Sequence, residues 1–320
     1  METFLVLEPG AFTTIQDAGR YGYQQFGVPV SGALDEFSFR VANLLVGNDE
    51  TAAALEITFQ GPKLEALSEC VVAVTGAETP IRVNARPEVG WRSFAVHKGD
   101  VITIRAAQRG IRSYVAVSGG ILVPEIMGSR STYVGAGLGG LDGRALVTGD
   151  TLFREQAAAV PSAVSLPERF RPALSSEIAL RAIPGPQDDY FDRGIDDFYA
   201  TSFTVSAKAD RMGYRLVGPE IKFKGGAPQS IISEPSMPGA VQIPPDGSPI
   251  ILLVEQTAGG YAKIATVISP DLDVIAQARP GDRVRFERID LATAHGVHRA
   301  WREKLRVVRE ILQSGKSCVS

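Results

Sequence analysis

Apolar residues along the chain fall mostly into short runs rather than long helical stripes. The runs are "FLVLEPG" (4–10), "CVVAVTGA" (70–77), "RSYVAVSGG" (112–120), "IALRAIPG" (178–185), "PIILLVEQTAGG" (249–260) and "KIATVIS" (263–269). Each is four to eight residues of strand-forming character closed by Gly, Pro or Asp, which predicts antiparallel sheets or barrels rather than alternating βαβ units. Gly-Asp pairs at Gly99-Asp100, Gly149-Asp150 and Gly281-Asp282 each precede such a run and read as hairpin turns. A helical period appears twice. In "ALDEFSFRVANLLVGN" the residues Leu34, Phe37, Val41, Leu44 and Leu45 share a stripe, with Ser31 or Asp35 as N-cap and Gly47 as the stop. From Asp290 to about Leu312, Leu291, Val297, Trp301, Leu305, Val308 and Leu312 align while arginines and lysines fill the other faces.

Between the two halves, 155–177 is rich in Ala, Ser and Pro and carries no period, so it reads as a linker. The expected organisation is a β-rich domain over 1–154, that linker, a second β-rich domain over 178–289, and a C-terminal helix and tail over 290–320. The pattern R-x-G-Y-x-x-x-G occurs once in each half, at Arg20 and at Arg211, with an Asp just upstream (Asp17, Asp210). It suggests two related halves.

The polar stretches are the more informative part. "TIQDAGRYGYQQFGVPVSGALD" (14–35) is long, glycine-rich and without period, yet contains three aromatics and two valines, which argues for a binding loop over disorder. Similar stretches recur at 127–144, 185–191, 209–215, 233–247 and 255–263. Arginine forks suit a carboxylate, carboxylates suit proton transfer, and glutamine or backbone amides suit an amide or ureide. Six such loops in one chain point to a shared cleft.

Composition narrows the classes. With 320 residues, 44% hydrophobic, 22% charged and a net charge of −3, the chain is globular and carries no basic stripe for nucleic acid. No apolar stretch reaches the roughly 18 residues of a membrane span, and no signal-peptide pattern opens the chain. Two cysteines, Cys70 and Cys318, make no disulfide framework. A cytoplasmic location is expected. His295 and His298 stand at i and i+3 without a Cys or carboxylate ligand beside them, so no metal is expected. "GAGLGG" (135–140) satisfies G-x-G-x-x-G but precedes β and turn character, and "SGKS" (314–317) lacks the first glycine of a P-loop. No lysine stands in a biotinyl-acceptor context, so biotin, if used, is carried by another chain.

Taken in order, "TTIQDAGRYGYQQFGVPVSGALDEFSFRVANLLVGN", "ALEITFQGP", "SYVAVSGGI", "MGSRSTY", "GPQDDYF", "DRMGYRL", "SEPSMPGAVQIPPDGSPIILLVEQTAGGYAKIATVI" and "PGDRVRF" resemble the KipA, or PxpC, family. Its members are also labelled biotin-dependent carboxyltransferase, allophanate hydrolase subunit 2 or urea amidolyase-related. The resemblance runs from about residue 4 to 288 and departs at "SAKADRMGY", where relatives commonly carry Ser-Asn or Ser-Asp before the Arg. It implies a mainly β, cyclophilin-like barrel architecture and a role in ATP-dependent 5-oxoprolinase, opening 5-oxo-L-proline to L-glutamate with KipI/PxpB-like and PxpA-like partners. ATP belongs to that complex and is not placed on this chain. The resemblance leaves two alternatives: carboxyl transfer from carboxybiotin to urea or a related amide, and a non-enzymatic antagonist of a KipI-like kinase inhibitor. On the family-matched positions, Asp17 or Asp35 is expected in proton transfer and Arg20 or Arg211 as a carboxylate clamp. Ser131, Gln242 and Gln256 are expected on the amide, with Tyr23, Ser31 and Arg130 completing the substrate-binding set.

Overall fold

The computed structural model describes residues 1–157 and 163–313, and within them the chain is mainly β. "SGKS" and Cys318 lie outside the described residues. Two compact units form: Met1–Arg20 with Ser31–Leu174 and Glu303–Ser320, and Tyr21–Val30 with Ser175–Arg302. The division differs from the domains expected above in two ways. Ten residues of the first polar loop group with the second unit, and the C-terminal helix is divided at Arg302. The described end of the expected linker is packed rather than free. Leu166 is fully buried, its amide bonds the Trp91 carbonyl at 3.0 Å, and Ser165 bridges Arg92.

The first unit is built on two sheets. One runs Ile121–Leu122, Thr151–Arg154, Glu2–Glu8, Lys63–Ala66, Val101–Ile104, Ile81–Val83, Arg86–Glu88, and the other Phe12–Gln16, Ala54–Thr58, Arg109–Val117, Cys70–Glu78, Ser93–Val96. Phe4, Val6, Leu64 and Ile102 from the one join Ile15, Leu55, Val72 and Val115 from the other in a single buried core, as alternation on facing sheets requires. The opposite face of the second sheet is covered by helix α1, Glu36–Leu45, whose Phe39 meets Tyr114 edge-on at 6.1 Å. Of the two caps offered by the sequence, Asp35 is used: its carboxylate accepts from the Ser38 amide at 2.9 Å and from Ser38 Oγ at 2.6 Å.

In the second unit seven strands close into a barrel, in the order Glu177–Pro184, Ala262–Val267, Ala240–Ile243, Ile250–Leu252, Gly213–Val217, Ser202–Ala209, Arg283–Arg288. Closure joins the first and last of these in sequence as a parallel pair, from Glu177 with Arg283 to Ala182 with Arg288. Helices α2, Arg193–Ala200, and α3, Ser269–Ala276, pack on it. Phe198 of α2 stacks on Phe286 at 4.3 Å, and Asp271 of α3 pairs with Arg181. The last helix, α4, covers Leu291–Gln313.

None of the three Gly-Asp pairs forms the hairpin its sequence suggests. Each is a four-residue turn with glycine in the left-handed region (φ 88°, 92° and 96°), and the aspartate carboxylate accepts the amide three residues earlier, at His97, Val147 and Arg279. The glycine amide and aspartate carbonyl then bond both backbone groups of one residue on a distant strand: Ala66, Val6 and Val205 respectively. Turn geometry is local and readable, whereas the strand beside which a turn lands is set by topology. The two R-x-G-Y segments also differ: Gly213 lies in a barrel strand, while Gly22 lies in open loop with φ 92°.

Candidate functional site

Two polar clusters emerge, one in each unit. The first centres on Asp17, which ends the strand Phe12–Gln16. Its Oδ1 accepts from the Gly19 amide (2.8 Å), Ser129 Oγ (2.7 Å) and Ser131 Oγ (2.5 Å), and its Oδ2 from the Arg130 amide (2.6 Å). Arg20 is fully buried and spans the same loop, donating from Nε to the Ile126 carbonyl and from Nη2 to that of Ser131, both at 2.9 Å. Its Nη1 has no partner. Burial lowers the guanidinium pKa from its ordinary range, opposed by the Asp17 charge. Gly139 is required here, because a Cβ would stand 2.1 Å from the Ser131 carbonyl oxygen and 2.8 Å from Arg20 Nη2.

Beside this hub lies a cavity of about 560 Å³ lined by Asp17, Asn48, Asp49, Glu125, Arg130 and Glu155 among others. Arg130 Nη2 stands 3.3 Å from Glu125 and 3.7 Å from Glu155, so the guanidinium of the cavity sits among carboxylates. Thus Asp17, Arg20, Arg130 and Ser131 are brought together. Asp35 and Ser31 are not part of the cavity lining. Ser31 is buried with φ 54° and its Oγ unpartnered. The Asp35 carboxylate serves as the cap of α1, while its amide donates to the Tyr114 hydroxyl, which donates in turn to Glu56, both at 2.8 Å. Burial, with Glu56 and Asp35 adding to it, pushes that hydroxyl well above the usual tyrosine range.

The second unit holds Tyr23, Arg211, Gln242 and Gln256. Tyr23 precedes the turn Gln24–Phe26. The Arg211 guanidinium pairs with Glu255 at 2.6 Å, both nearly buried, and Gln256 Nε2 donates to the Ala258 carbonyl at 2.5 Å. Gln242 has a different setting. It faces Lys263 across the ladder of Ala240–Ile243 with Ala262–Val267, at a bulge between Val241 and Gln242. Lys263 is 4% exposed, and its Nζ lies 2.6 Å from Glu234 Oε1. Gln187 accepts from the Lys263 amide at 3.0 Å and donates to Glu234 Oε1 at 3.1 Å. Those bonds, first from Lys263 and then from Gln187, lower the Glu234 carboxyl pKa from its ordinary range.

Lys263, Glu234 and Gln187 were not singled out from the sequence, although all three lie in its polar segments. A usable signal was present. In "YAKIATV" a lone lysine interrupts a strand that is apolar on both sides, a position lysine occupies only with a partner. "GAGLGG" runs through the short turn Val134–Ala136 with no helix after it, so it has no dinucleotide-binding geometry. Cys70 is buried, which raises its thiol to about 12 and leaves it inert at neutral pH. Among the described residues no group of three or more His, Cys, Asp or Glu is arranged to hold a metal.

Comparison with known proteins places the chain in a family. The chain is 39% identical over 296 residues to the C subunit of 5-oxoprolinase from Escherichia coli, covering 90% of this chain and 92% of that one. It is 32% identical to the corresponding 5-oxoprolinase subunit of Haemophilus influenzae, covering 96% and 98%. Among solved structures, the urea amidolyase of K. lactis superposes with a TM-score of 0.90 at 33% identity, over 96% of this chain but 20% of that enzyme. Residues 26–288 match the model of the carboxyltransferase domain, subdomain A and B. Ser129, Arg130 and Ser131 of the first cluster and Gln187, Glu234, Gln242 and Lys263 of the second lie within this span, whereas Asp17 and Arg20 precede it, and the chain belongs to that carboxyltransferase domain family.

Proposed function

We propose that the chain is a subunit of an ATP-dependent 5-oxoprolinase that opens 5-oxo-L-proline to L-glutamate with KipI/PxpB-like and PxpA-like partners. The observation that carries this reading is the correspondence, over nine-tenths or more of either length, with two proteins named as 5-oxoprolinase subunits. Opening a lactam needs donors on its carbonyl oxygen, a proton for its nitrogen and a clamp for its carboxylate. Within the second unit Gln242 supplies an amide donor without a protein partner; separately, within the first unit, Arg130 lines the cavity with its guanidinium beside Glu125 and Glu155. Asp17 acts here by fixing the Arg130 backbone, and Arg20 by fixing the loop that carries Ser131. ATP is assigned to the complex, because "GAGLGG" has no helix after it and "SGKS" lacks the first glycine of a P-loop.

A second reading, carboxyl transfer from carboxybiotin to urea or a related amide, is favoured by the family description and by the urea amidolyase superposition. Biotin would then be carried by another chain. Mixing this chain with KipI-like and PxpA-like partners and following 5-oxoproline-dependent ATP hydrolysis and glutamate release separates the two. Turnover that needs all three chains is expected. A complex that forms, releases no glutamate and responds to added carboxybiotin moves the assignment to carboxyl transfer.

A further inference from the structure

A second cavity, of about 410 Å³, opens in the first unit where the strand Cys70–Glu78 ends against the hairpin of Ile81–Val83 with Arg86–Glu88. Val74, Pro80, Ile81, Val89 and Trp91 give it an apolar wall, and no residue of the Asp17 hub lines it. Trp91 is held in the left-handed region, at φ 61°, where a bulky side chain stays only if its surroundings impose it. They do so from both sides: its amide donates to the Val74 carbonyl at 2.7 Å, and its carbonyl accepts from the Leu166 amide at 3.0 Å. Backbone strain of this kind clusters at ligand sites. The indole Nε1–H has no hydrogen-bond partner among the described residues.

The charges on the same wall narrow the occupant. Glu88 is already paired, with Arg86 at 2.8 Å. Glu78 is not: its carbonyl accepts from the Gln108 amide at 2.7 Å, while its carboxylate makes no hydrogen bond or ion pair among the described residues. Arg171 donates from Nε and Nη2 to the Leu166 carbonyl, at 3.3 and 3.2 Å, and pairs with no carboxylate among the described residues. Leu166, fully buried, therefore anchors the tryptophan through its amide and the guanidinium through its carbonyl. An unpaired anion and an unpaired cation line one cavity, too far apart to pair with each other. A ligand that answers both carries an ammonium and a carboxylate. A phosphate would be repelled by Glu78 and Glu88, a polyamine by Arg171, and an uncharged apolar molecule would leave both charges unanswered. The indole and its apolar neighbours suit an aromatic or aliphatic side chain on the same molecule.

We propose that this cavity binds a small zwitterion with an apolar side chain, a free amino acid or a dipeptide. Arg171 takes its carboxylate, Glu78 its ammonium and Trp91 its side chain. The site does not depend on the reaction assigned above.

The test is isothermal titration with ligand-observed NMR on the full chain. The probes are L-phenylalanine and L-alanyl-L-phenylalanine, which differ in charge spacing, with the N-acetyl and C-amide forms of each, which lack one charge. Saturable binding of at least one zwitterion is expected, with its single-charge forms weaker by about threefold or more. Glu78→Gln, at an exposed position, is expected to weaken the zwitterion as N-acetylation does and to leave the N-acetyl form unchanged. Arg171→Gln is expected to do the same for the carboxylate and the C-amide form. Binding of the dipeptide alone retains the site and assigns it to peptide termini; binding of the amino acid assigns it to free amino acids. Absence of saturable binding of both zwitterions to the wild-type chain overturns the site. Equal affinity for a zwitterion and its single-charge forms overturns it too, as does wild-type affinity in folded Glu78→Gln.

Discussion

Four donors on the Asp17 carboxylate make it the most heavily bonded side chain of the first cluster. Asp17→Asn removes the charge and sets an NH₂ group against hydroxyl and amide donors. A stability loss of about 2 kcal/mol in urea unfolding is expected, since bonds to a charged group contribute about 1.5–3 kcal/mol each. Asp35→Ala is expected to lose about 1 kcal/mol, the usual value of an N-cap, with turnover of the reconstituted complex retained. Glu234 gives a pH dependence. Its folded pKa is lowered by Lys263 and Gln187, so its contribution is complete above the unfolded value of about 4.3 and is lost as pH falls through the lower folded value. Comparing wild type with Glu234→Gln by acid titration checks the sign: the two converge below the folded value and diverge above it. At this scale the sequence exposed the types but not the partners. Asp17, Arg130 and Ser131 could be nominated from polar loops, yet the pairing of Lys263 with Glu234 depends on a strand register that spacing does not encode.

The three Gly-Asp turns recur as one device, in which the glycine allows the bend and the aspartate closes it before a strand begins. Gly281→Ala tests it cleanly, because a Cβ there meets nothing within 4 Å and only the left-handed φ is penalised, by about 1–2 kcal/mol. Gly139→Ala is expected to lose more, since backbone and the Arg20 guanidinium lie in the way; thermal melts of the two variants give the comparison. The strand runs were legible because β-branched clusters between turn residues leave little choice. Helices α2 and α3 were not, because eight residues hold too few turns for a stripe to stand out. The hairpin reading failed for a related reason: a turn states that the chain bends and is silent about which strand receives it.

Helix α4 begins where the matched family domain ends, yet its second half is part of the first unit. Leu305, Val308 and Leu312 are buried there, Arg309 pairs with Glu50 at 2.6 Å, and Lys304 lies 4.4 Å over the Phe37 ring. Truncation after Arg302 is expected to cost about 5 kcal/mol, from three apolar side chains at about 1.5–3 kcal/mol each, read as a lowered unfolding midpoint. β character and the apolar face of this helix were legible throughout the chain, whereas the exchange of 21–30 and 303–313 between units was not, because composition does not change at those boundaries. The parallel pairing of Glu177–Pro184 with Arg283–Arg288 carries a consequence for synthesis. On a ribosome the barrel's opening strand emerges long before the strand that seals it, and until residue 288 has cleared the exit tunnel the nascent sheet keeps two bare edges. The interval between those two strands is a period in which the barrel is exposed to mispairing.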